Sequence, residues 1–274
     1  MTEFLLAEIR RPGQAGRFYP ASPARLRRDV ETFLADADPP TGPAPKALIL
    51  PHAGYEYSGP VAATGYALLA RDRPRVRRVV LLGPSHWADF DGVAVSEAGV
   101  FATPLGAVPV DEEGWETAVA QPGVMVSEEA HRPEHSLEVH LPFLQVALGE
   151  VAIVPLLVGR ATPGEVARVI EALWGGPETR VVVSSDLSHY HDYFTARQRD
   201  AATAKAIERL DTRALADHDA CGHRPIRGLL VVAGRRGMRC RTLDLRNSGD
   251  TAGGRDRVVG YGAFAFHEPA AEAE

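Results

Sequence analysis

"ALILPHAGYEYSGP" spans residues 47–60 and joins four apolar residues directly to Pro51 and His52. An uninterrupted apolar run of this kind is typical of a strand that is buried on both faces, as in a parallel sheet. Ligands of such sheets collect beyond the carboxyl ends of the strands. His52, which follows the run almost at once, is therefore a candidate site residue.

Two further apolar runs also lead to histidines. "VVLLG" (79–83) is followed by His86, and "VVVSS" (181–185) is followed by Asp186 and His189. If the three strands are parallel, their histidines converge at one rim of the sheet. Neutral imidazole binds iron, zinc and copper, and two histidines with one anionic ligand leave positions open for oxygen or hydrolytic chemistry. The remaining histidine could act as an acid or base oriented by a carboxylate, and the sequence leaves open which histidine has which role.

A second histidine-rich stretch competes for the same site. "EHSLEVH" (134–140) contains His135, Glu138 and His140, but its spacing is not that of the H-E-x-x-H zinc helix. A helix is predicted over 133–148, although Pro142 should kink or restart it. On this helix, His135 and Glu138 share a face, whereas His140 points elsewhere. A functional role and a polar helix start that faces a cleft are equally compatible with this pattern.

One of the two cysteines also has a notable position. "HDACGHRPI" (218–226) places Cys221 immediately before a predicted helix. A helix N-terminus stabilises the thiolate, which is the form that binds metals. A lone cysteine is more often a small buried apolar residue, and this is the role predicted for Cys240 inside an alternating strand.

Apolar strands alternate with helices along most of the chain. This order predicts an α/β fold in which helices cover both faces of a mostly parallel or mixed central sheet. Two late alternating stretches, 238–247 and 256–267, are predicted as antiparallel strands. The whole chain, residues 1–274, is assigned to a single domain, with a Pro-rich connector at 35–46 and a disordered tail at 268–274.

The composition argues against several classes of protein. Acidic residues outnumber basic ones by 36 to 30, and the resulting net charge of −6 is unfavourable for a general nucleic-acid binder. Two cysteines do not make a disulfide framework and fit a reducing cytoplasm. The sequence has no apolar stretch near the ~20 residues that a membrane helix needs, and its N-terminal apolar run is too short for a signal peptide. The motifs of dinucleotide sites, P-loops and nucleophile elbows are also missing.

Seven ordered motifs together resemble one known family. They are "AGRFYP", "PHAGYEYSGPVAA", "LLGPSHW", "EHSLEVHLPFLQ", "VPLLVG", "SSDLSHY" and "CGHRPI", between residue 15 and about residue 230. In this order they resemble the Memo family, which comprises the mediator of ErbB2-driven cell motility and its prokaryotic relatives, labelled protein B of the AmmeMemoRadiSam system.

The resemblance implies a fold related to the class III extradiol (LigB-like) dioxygenases. Those enzymes hold non-haem Fe(II) with two histidines and a glutamate, and they use another histidine as an acid or base. Carried over to this chain, His52 and His86 become metal ligands, and Cys221 takes the place of the carboxylate. The implied cofactor is a mononuclear transition metal ion, with Fe(II) first and copper second, because a thiolate is a softer donor than a carboxylate.

The resemblance also suggests roles for neighbouring side chains. His189 is expected to act as acid or base, with Asp186 to orient it. Arg224 follows His223, whereas the animal pattern has the two in the other order, so a role for His223 stays open. Four further side chains are expected to contact substrate or shape the pocket: Tyr55, Tyr57, Glu138 and His140.

These residues predict a cytoplasmic, metal-dependent oxidoreductase of dioxygenase type with an unknown substrate. Two alternatives remain at this point: a binding or scaffold protein that keeps the pocket without turnover, and a metal-assisted hydrolase. The expected ligand is a small molecule or peptide, with no nucleic acid and no membrane involved. The family label further implies AMMECR1-like and radical-SAM proteins as pathway partners.

Overall fold

A mixed nine-stranded sheet lies at the centre of the computed structural model, which describes residues 8–269. A separate three-stranded sheet forms beside it. The strands are β1 (Ile9–Arg10), β2 (Ala47–Leu50), β3 (Arg78–Pro84), β4 (Val93–Val95), β5 (Val100–Thr103), β6 (Gly106–Pro109), β7 (Val124–Val126), β8 (Ala152–Val158), β9 (Thr179–Ser184), β10 (His189–His191), β11 (Arg239–Asn247) and β12 (Val258–His267).

Helices connect most of these strands. They are α1 (Pro23–Asp36), α2 (Tyr55–Leu69), α3 (Glu112–Val119), α4 (Glu128–His131), α5 (Leu141–Leu148), α6 (Pro163–Ala172), α7 (Tyr193–Glu208) and α8 (His223–Arg235). Short 3-10 segments lie at Ala70–Asp72, Glu138–His140 and Ser248–Asp250. Among residues 8–269, no helix combines the length and the apolar composition that a bilayer-spanning segment requires.

The middle of the large sheet is parallel, as the sequence predicts. Its strand order is β10-β12-β2-β9-β3-β8-β4-β7, and β11 also pairs with β12. Strands β2, β9, β3 and β8 run parallel to one another, whereas β12 is antiparallel to β2 and β4 is antiparallel to β8. The late strands β11 and β12 are antiparallel to each other, which confirms that prediction. The carboxyl ends of β2, β3 and β9 therefore meet at one rim.

Helices flank the sheet, and the fold class predicted from the sequence is confirmed. Every residue of β2 and β9 is buried, which requires cover on both faces because successive side chains point to opposite sides. Helices α1, α2 and α5 pack on one another, with α2 against β2 and β12, while α6 and α8 pack together and α8 contacts β3 and β9.

The helix predicted over 133–148 is wrong in its first half. Residues 134–137 form a loop, the 3-10 segment Glu138–His140 follows, and α5 begins at Leu141 with Pro142 in its first turn. Proline fits a first turn because the amide that it lacks has no partner there in any case. His135 and Glu138 therefore do not share a helix face.

The predicted connector and tail are partly described. The Pro-rich stretch at 35–46 includes the end of α1 and the link from α1 to β2. Within the tail predicted as disordered, Glu268 accepts a hydrogen bond from Trp174 Nε1 at 2.9 Å. Residues 270–274 lie outside the described residues.

Two glycines in α8 provide a matched test of the packing of this helix against α6. A Cβ at Gly228 would lie 2.3 Å from Val166 Cγ1 in α6, and valine cannot easily move inside a helix. A Cβ at Gly234 would meet no heavy atom within 4 Å. Gly228→Ala is expected to lower the free energy of unfolding by about 1–3 kcal/mol through overpacking. Gly234→Ala should raise it by about 0.5 kcal/mol, since alanine is the better helix former. Urea denaturation of both variants measures this, and equal effects would contradict the packing.

Candidate metal centre

His52 lies just beyond the end of β2 and is almost fully buried, with 2% of its surface exposed. Its Nδ1 is 2.6 Å from Ser184 Oγ, and its Nε2 is 3.3 Å from Cys221 Sγ. Its backbone N–H donates to Asp186 Oδ1 at 2.8 Å. Burial, together with the neighbouring histidines, lowers the pKa of His52 well below its ordinary value. The ring is therefore neutral, which is the form that coordinates metals.

His86, beyond the end of β3, is held by a carboxylate. Its backbone N–H donates to Glu134 Oε2 at 2.6 Å, and its Nδ1 lies 2.9 Å from Glu134 Oε1. Burial alone would raise the pKa of Glu134, but the hydrogen bonds from His86 and from the backbone outweigh it and lower that pKa to about 2. Because an ionised carboxylate can only accept, His86 Nδ1 carries a proton and its Nε2 is left for another partner.

His135 brings a third imidazole to the same place. Its ring centroid lies 4.6 Å from that of His86 and 5.3 Å from that of His52. Its Nδ1 is 3.2 Å from Glu134 Oε1, so one carboxylate faces two of the three rings. Burial lowers the pKa of His135 to about 4, which keeps this ring neutral as well.

The three imidazoles form a group with metal-ligand geometry. One potential ligand atom from each ring lies within 4.8 Å of the others. Among residues 8–269, these three histidines are the set of at least three His, Cys, Asp or Glu side chains whose ligand atoms come this close together. The sequence predicts that His52 and His86 lie together, but it offers His135 only in a competing stretch, and the resemblance implies Cys221 as the third ligand. The available signal was the glutamate directly before His135, a residue type that often orients ligand histidines.

Cys221 borders this group without being part of it. Besides its contact with His52 Nε2, Cys221 Sγ accepts a hydrogen bond from the Asp186 N–H at 3.2 Å. Burial raises the pKa of the Cys221 thiol well above its ordinary value, so the sulfur is protonated. Gly222 allows this approach, because a Cβ at that position would lie 2.7 Å from the carbonyl oxygen of Ser184.

His189 and Asp186 lie on the segment that follows β9. His189 Nδ1 is 2.7 Å from the carbonyl oxygen of Leu187, so this nitrogen donates its proton to a backbone acceptor. Asp186 instead accepts the backbone N–H of His52. Burial raises the pKa of Asp186 to about 6, although the nearby His189 opposes this effect. The carboxylate thus faces both His52 and His189.

Glu138 and Tyr55 were expected to shape the pocket or contact substrate. In the structure, both are buried and link neighbouring segments of the protein near the centre. Glu138 is fully buried and pairs with Arg10 Nη1 at 2.7 Å. It also accepts the Tyr19 hydroxyl at 2.7 Å and the backbone N–H of Gln14 at 2.7 Å. Tyr55 is buried, and its hydroxyl donates to the carbonyl of Val139 at 2.6 Å.

The other three residues differ in their surroundings. His140 is buried between Ser184 Oγ and the Tyr66 hydroxyl, at 2.9 Å from each. Tyr57 is half-buried in the first turn of α2. His223, whose role the sequence left open, starts α8 and directs Nδ1 to the carbonyl of Ala220 at 3.1 Å.

A family model described as "Memo-like protein" matches residues 10–265. This chain belongs to the Memo-like protein family. A MEMO1 family protein of Sulfolobus acidocaldarius is 36% identical over 94% of this chain and 99% of its own length. MEMO1 family proteins of Aeropyrum pernix and Methanothermobacter thermautotrophicus are 37% and 35% identical, over 93% and 92% of this chain and 99% and 98% of their own lengths. Among solved structures, the uncharacterized protein JW3007 of Escherichia coli K12 is 15% identical with a TM-score of 0.47, over 78% of this chain and 98% of its own.

Membership of the Memo-like family confirms the resemblance found in the sequence motifs. The histidines of the motifs "PHAGY", "GPSHW" and "EHS" are His52, His86 and His135, which together form the candidate metal centre. The motif cysteine of "CGHRPI" lies directly beside them. The motifs therefore gather around one group of side chains, although they are far apart in the sequence.

Proposed function

We propose that this chain is a metal-dependent oxidoreductase whose mononuclear transition metal ion is held by His52, His86 and His135. The observation that carries the proposal is the group of three imidazoles with ligand atoms within 4.8 Å of one another. Cys221 supplies a sulfur donor at the edge of this group, 3.3 Å from His52 Nε2.

The donor set suits such an ion. Nδ1 of His52 and Nδ1 of His86 each have a partner on the protein, which leaves Nε2 of both rings for coordination. Imidazole binds iron, copper and zinc, and a thiol that coordinated the ion as well would lose its proton. We infer iron as the ion, as the resemblance stated from the sequence motifs implies, with copper as the second choice. When bound, the ion supplies a Lewis-acidic and redox-active centre.

The proton chemistry is assigned to His189. Because its Nδ1 donates to the carbonyl of Leu187, its Nε2 is the nitrogen proposed to take up and release a proton during the reaction. Asp186 fixes the backbone at His52, and its carboxylate lies close enough to His189 to interact with it electrostatically.

The proposed substrate space is a cavity that shares Phe18 with the surroundings of the centre, although none of the three histidines lines it. Phe18, whose ring centroid lies 4.6 Å from that of His135, also lines a cavity of about 480 Å³ together with Gly54 and Tyr55. This volume is within the range of small-molecule sites, which is about 300–1,000 Å³. A small organic molecule is therefore the proposed substrate class.

The test combines metal analysis with oxygen consumption. Protein purified without oxygen is expected to contain about one iron per chain and to consume oxygen with at least one member of a panel of catechols. His189→Gln should lower the rate by about 10²–10⁴-fold, as is usual for the loss of a general acid or base. Its metal content should stay the same, since His189 is not a proposed ligand.

The outcomes separate the competing functions. His218→Gln serves as the control variant, because His218 is exposed and should change neither metal content nor rate. Bound metal without oxygen consumption would contradict the oxidoreductase and favour a binding protein. Zinc as the bound ion, with hydrolysis products formed without oxygen, would favour a metal-assisted hydrolase.

A further inference from the structure

Ser184, the last residue of β9, is fully buried and contacts three polar groups. Its Oγ is 2.6 Å from the carbonyl oxygen of Ser136, 2.6 Å from His52 Nδ1 and 2.9 Å from His140 Nε2. Groups from two separate segments of the chain, one at His52 and one over residues 136–140, therefore share one hydroxyl.

The number of protons available determines which atom donates in each hydrogen bond to Ser184. A serine hydroxyl has one proton to donate and two lone pairs to accept with. The carbonyl of Ser136 can only accept, so the hydroxyl of Ser184 donates to it. Both imidazole nitrogens must then donate, which places protons on His52 Nδ1 and His140 Nε2. If the hydroxyl proton turned to His52, the buried carbonyl of Ser136 would lose this donor, which is unfavourable inside a protein.

His140 closes the cluster on its far side. Its Nδ1 is 2.9 Å from the hydroxyl of Tyr66, which donates to the lone pair that remains there. Burial lowers the pKa of His140 to about 3, so its ring is neutral and carries one N–H, as this arrangement requires. In the chain of hydrogen bonds that runs from Tyr66 through His140 and Ser184 to Ser136, each donor thus has one acceptor.

We infer that Ser184 is a positioning residue that fixes His52 in the tautomer with the proton on Nδ1. This inference rests on the proposed metal site, because its purpose is to direct the lone pair of His52 Nε2 toward the bound ion. A second contact is compatible with it: Cys221 Sγ lies 3.3 Å from that Nε2, and a nitrogen without a hydrogen can accept from a neighbouring group.

The two ligand histidines nearest the sheet are therefore oriented by different chemistry. His86 donates to the ionised carboxylate of Glu134, which adds negative charge to the region of the site. His52 donates to a neutral hydroxyl, which sets the direction of the ring without adding charge. Ser184 thus sets only the orientation of the His52 ring, and it does so through its single hydroxyl oxygen.

Nitrogen NMR of the imidazoles tests the tautomer directly in metal-free protein. The expected spectrum has a protonated Nδ1 and a bare Nε2 for His52 in the wild type. Ser184→Ala removes the acceptor of the Nδ1 proton and is expected to lower the affinity for Fe(II) by about 10–100-fold, the usual effect of losing an outer partner of a ligand. Ser184→Thr keeps the hydroxyl and should restore most of the affinity. Tyr66→Phe is the matched control, since it deletes a hydroxyl from the same cluster without touching His52.

Each result bears on one part of the inference. A wild-type His52 with its proton on Nε2 would overturn it, whether or not the variants fold. Equal Fe(II) affinities of Ser184→Ala and wild type would also overturn it, as would an equal loss in Tyr66→Phe. A wild type with the expected tautomer that binds no Fe(II) would support the proton assignment while refuting the proposed metal site.

Discussion

His52→Ala is expected to leave the purified protein with almost no bound metal. Ser184 contacts the ring of His52, and Asp186 accepts its backbone N–H. The ring centroid of His52 is 5.2 Å from that of His86, and in the proposed site its Nε2 faces the ion. Loss of an outer partner of a ligand typically weakens binding by 10–100-fold, and loss of the ligand itself should therefore exceed about 100-fold. Metal content after dialysis against a weak chelator measures the effect.

A buried histidine outside the centre provides the control. His131 is 1% exposed and places its Nε2 3.0 Å from the carbonyl oxygen of Ala94. His131→Ala removes a ring of the same size and burial, so it should cost stability without lowering metal content. Equal metal contents in wild type and His52→Ala would contradict the proposed site.

The same measurement separates the two possible ligand sets. If the three imidazoles hold the ion, His135→Ala should lose about as much metal as His52→Ala, while Cys221→Ser should keep the metal and change its visible absorption. If Cys221→Ser loses the metal and His135→Ala retains it, the set implied by the sequence resemblance, His52 with His86 and Cys221, is correct.

Glu138→Ala is expected to lower the free energy of unfolding by about 3–5 kcal/mol, the usual cost of removing one partner from a buried ion pair. Glu138 is fully buried, and the guanidinium of Arg10 would be left inside the protein without its carboxylate. The Tyr19 hydroxyl and the backbone N–H groups of Gly13 and Gln14 would lose their acceptor as well. Urea denaturation measures the loss.

An exposed ion pair gives the comparison for Glu138. Arg25 and Asp29 lie 3.6 Å apart on the surface of α1, and Asp29→Ala should cost less than about 1 kcal/mol. The double variant Arg10→Met with Glu138→Leu should recover part of the stability lost in Glu138→Ala, because no unpaired charge remains buried. A loss at Glu138 no larger than at Asp29 would mean that the carboxylate is not needed for the fold.

The sequence predicted the positions of site residues best where a residue directly follows a single buried strand. Apolar runs before His52, His86 and His189 predicted strands, and β2, β3 and β9 do run parallel toward one rim. This worked because a continuous apolar run has few alternatives to a doubly covered strand. The antiparallel pairing of β11 with β12 was equally accessible from its alternating pattern.

The remaining features depend on contacts between distant segments. The position of His135 could not be predicted, because leucines at helical spacing around Pro142 favour a longer helix. In the structure, the backbone N–H groups of His135 and Ser136 instead donate to Glu134 and hold a loop there. Strand β1 has only two residues, too few for any pattern, and it forms by pairing with β5. The proton arrangement at Ser184 likewise requires distances that no local pattern contains.

The three imidazoles lie in three loops that are far apart in the sequence. One loop follows β2, one follows β3 and one precedes α5. An ion bound by all three would cross-link these loops in the folded chain and would have no comparable site in the unfolded one. Its binding energy would add to the stability of the fold, by about 2.7 kcal/mol when free metal is 100 times its dissociation constant. Resistance to unfolding would then rise and fall with the supply of metal in the cell.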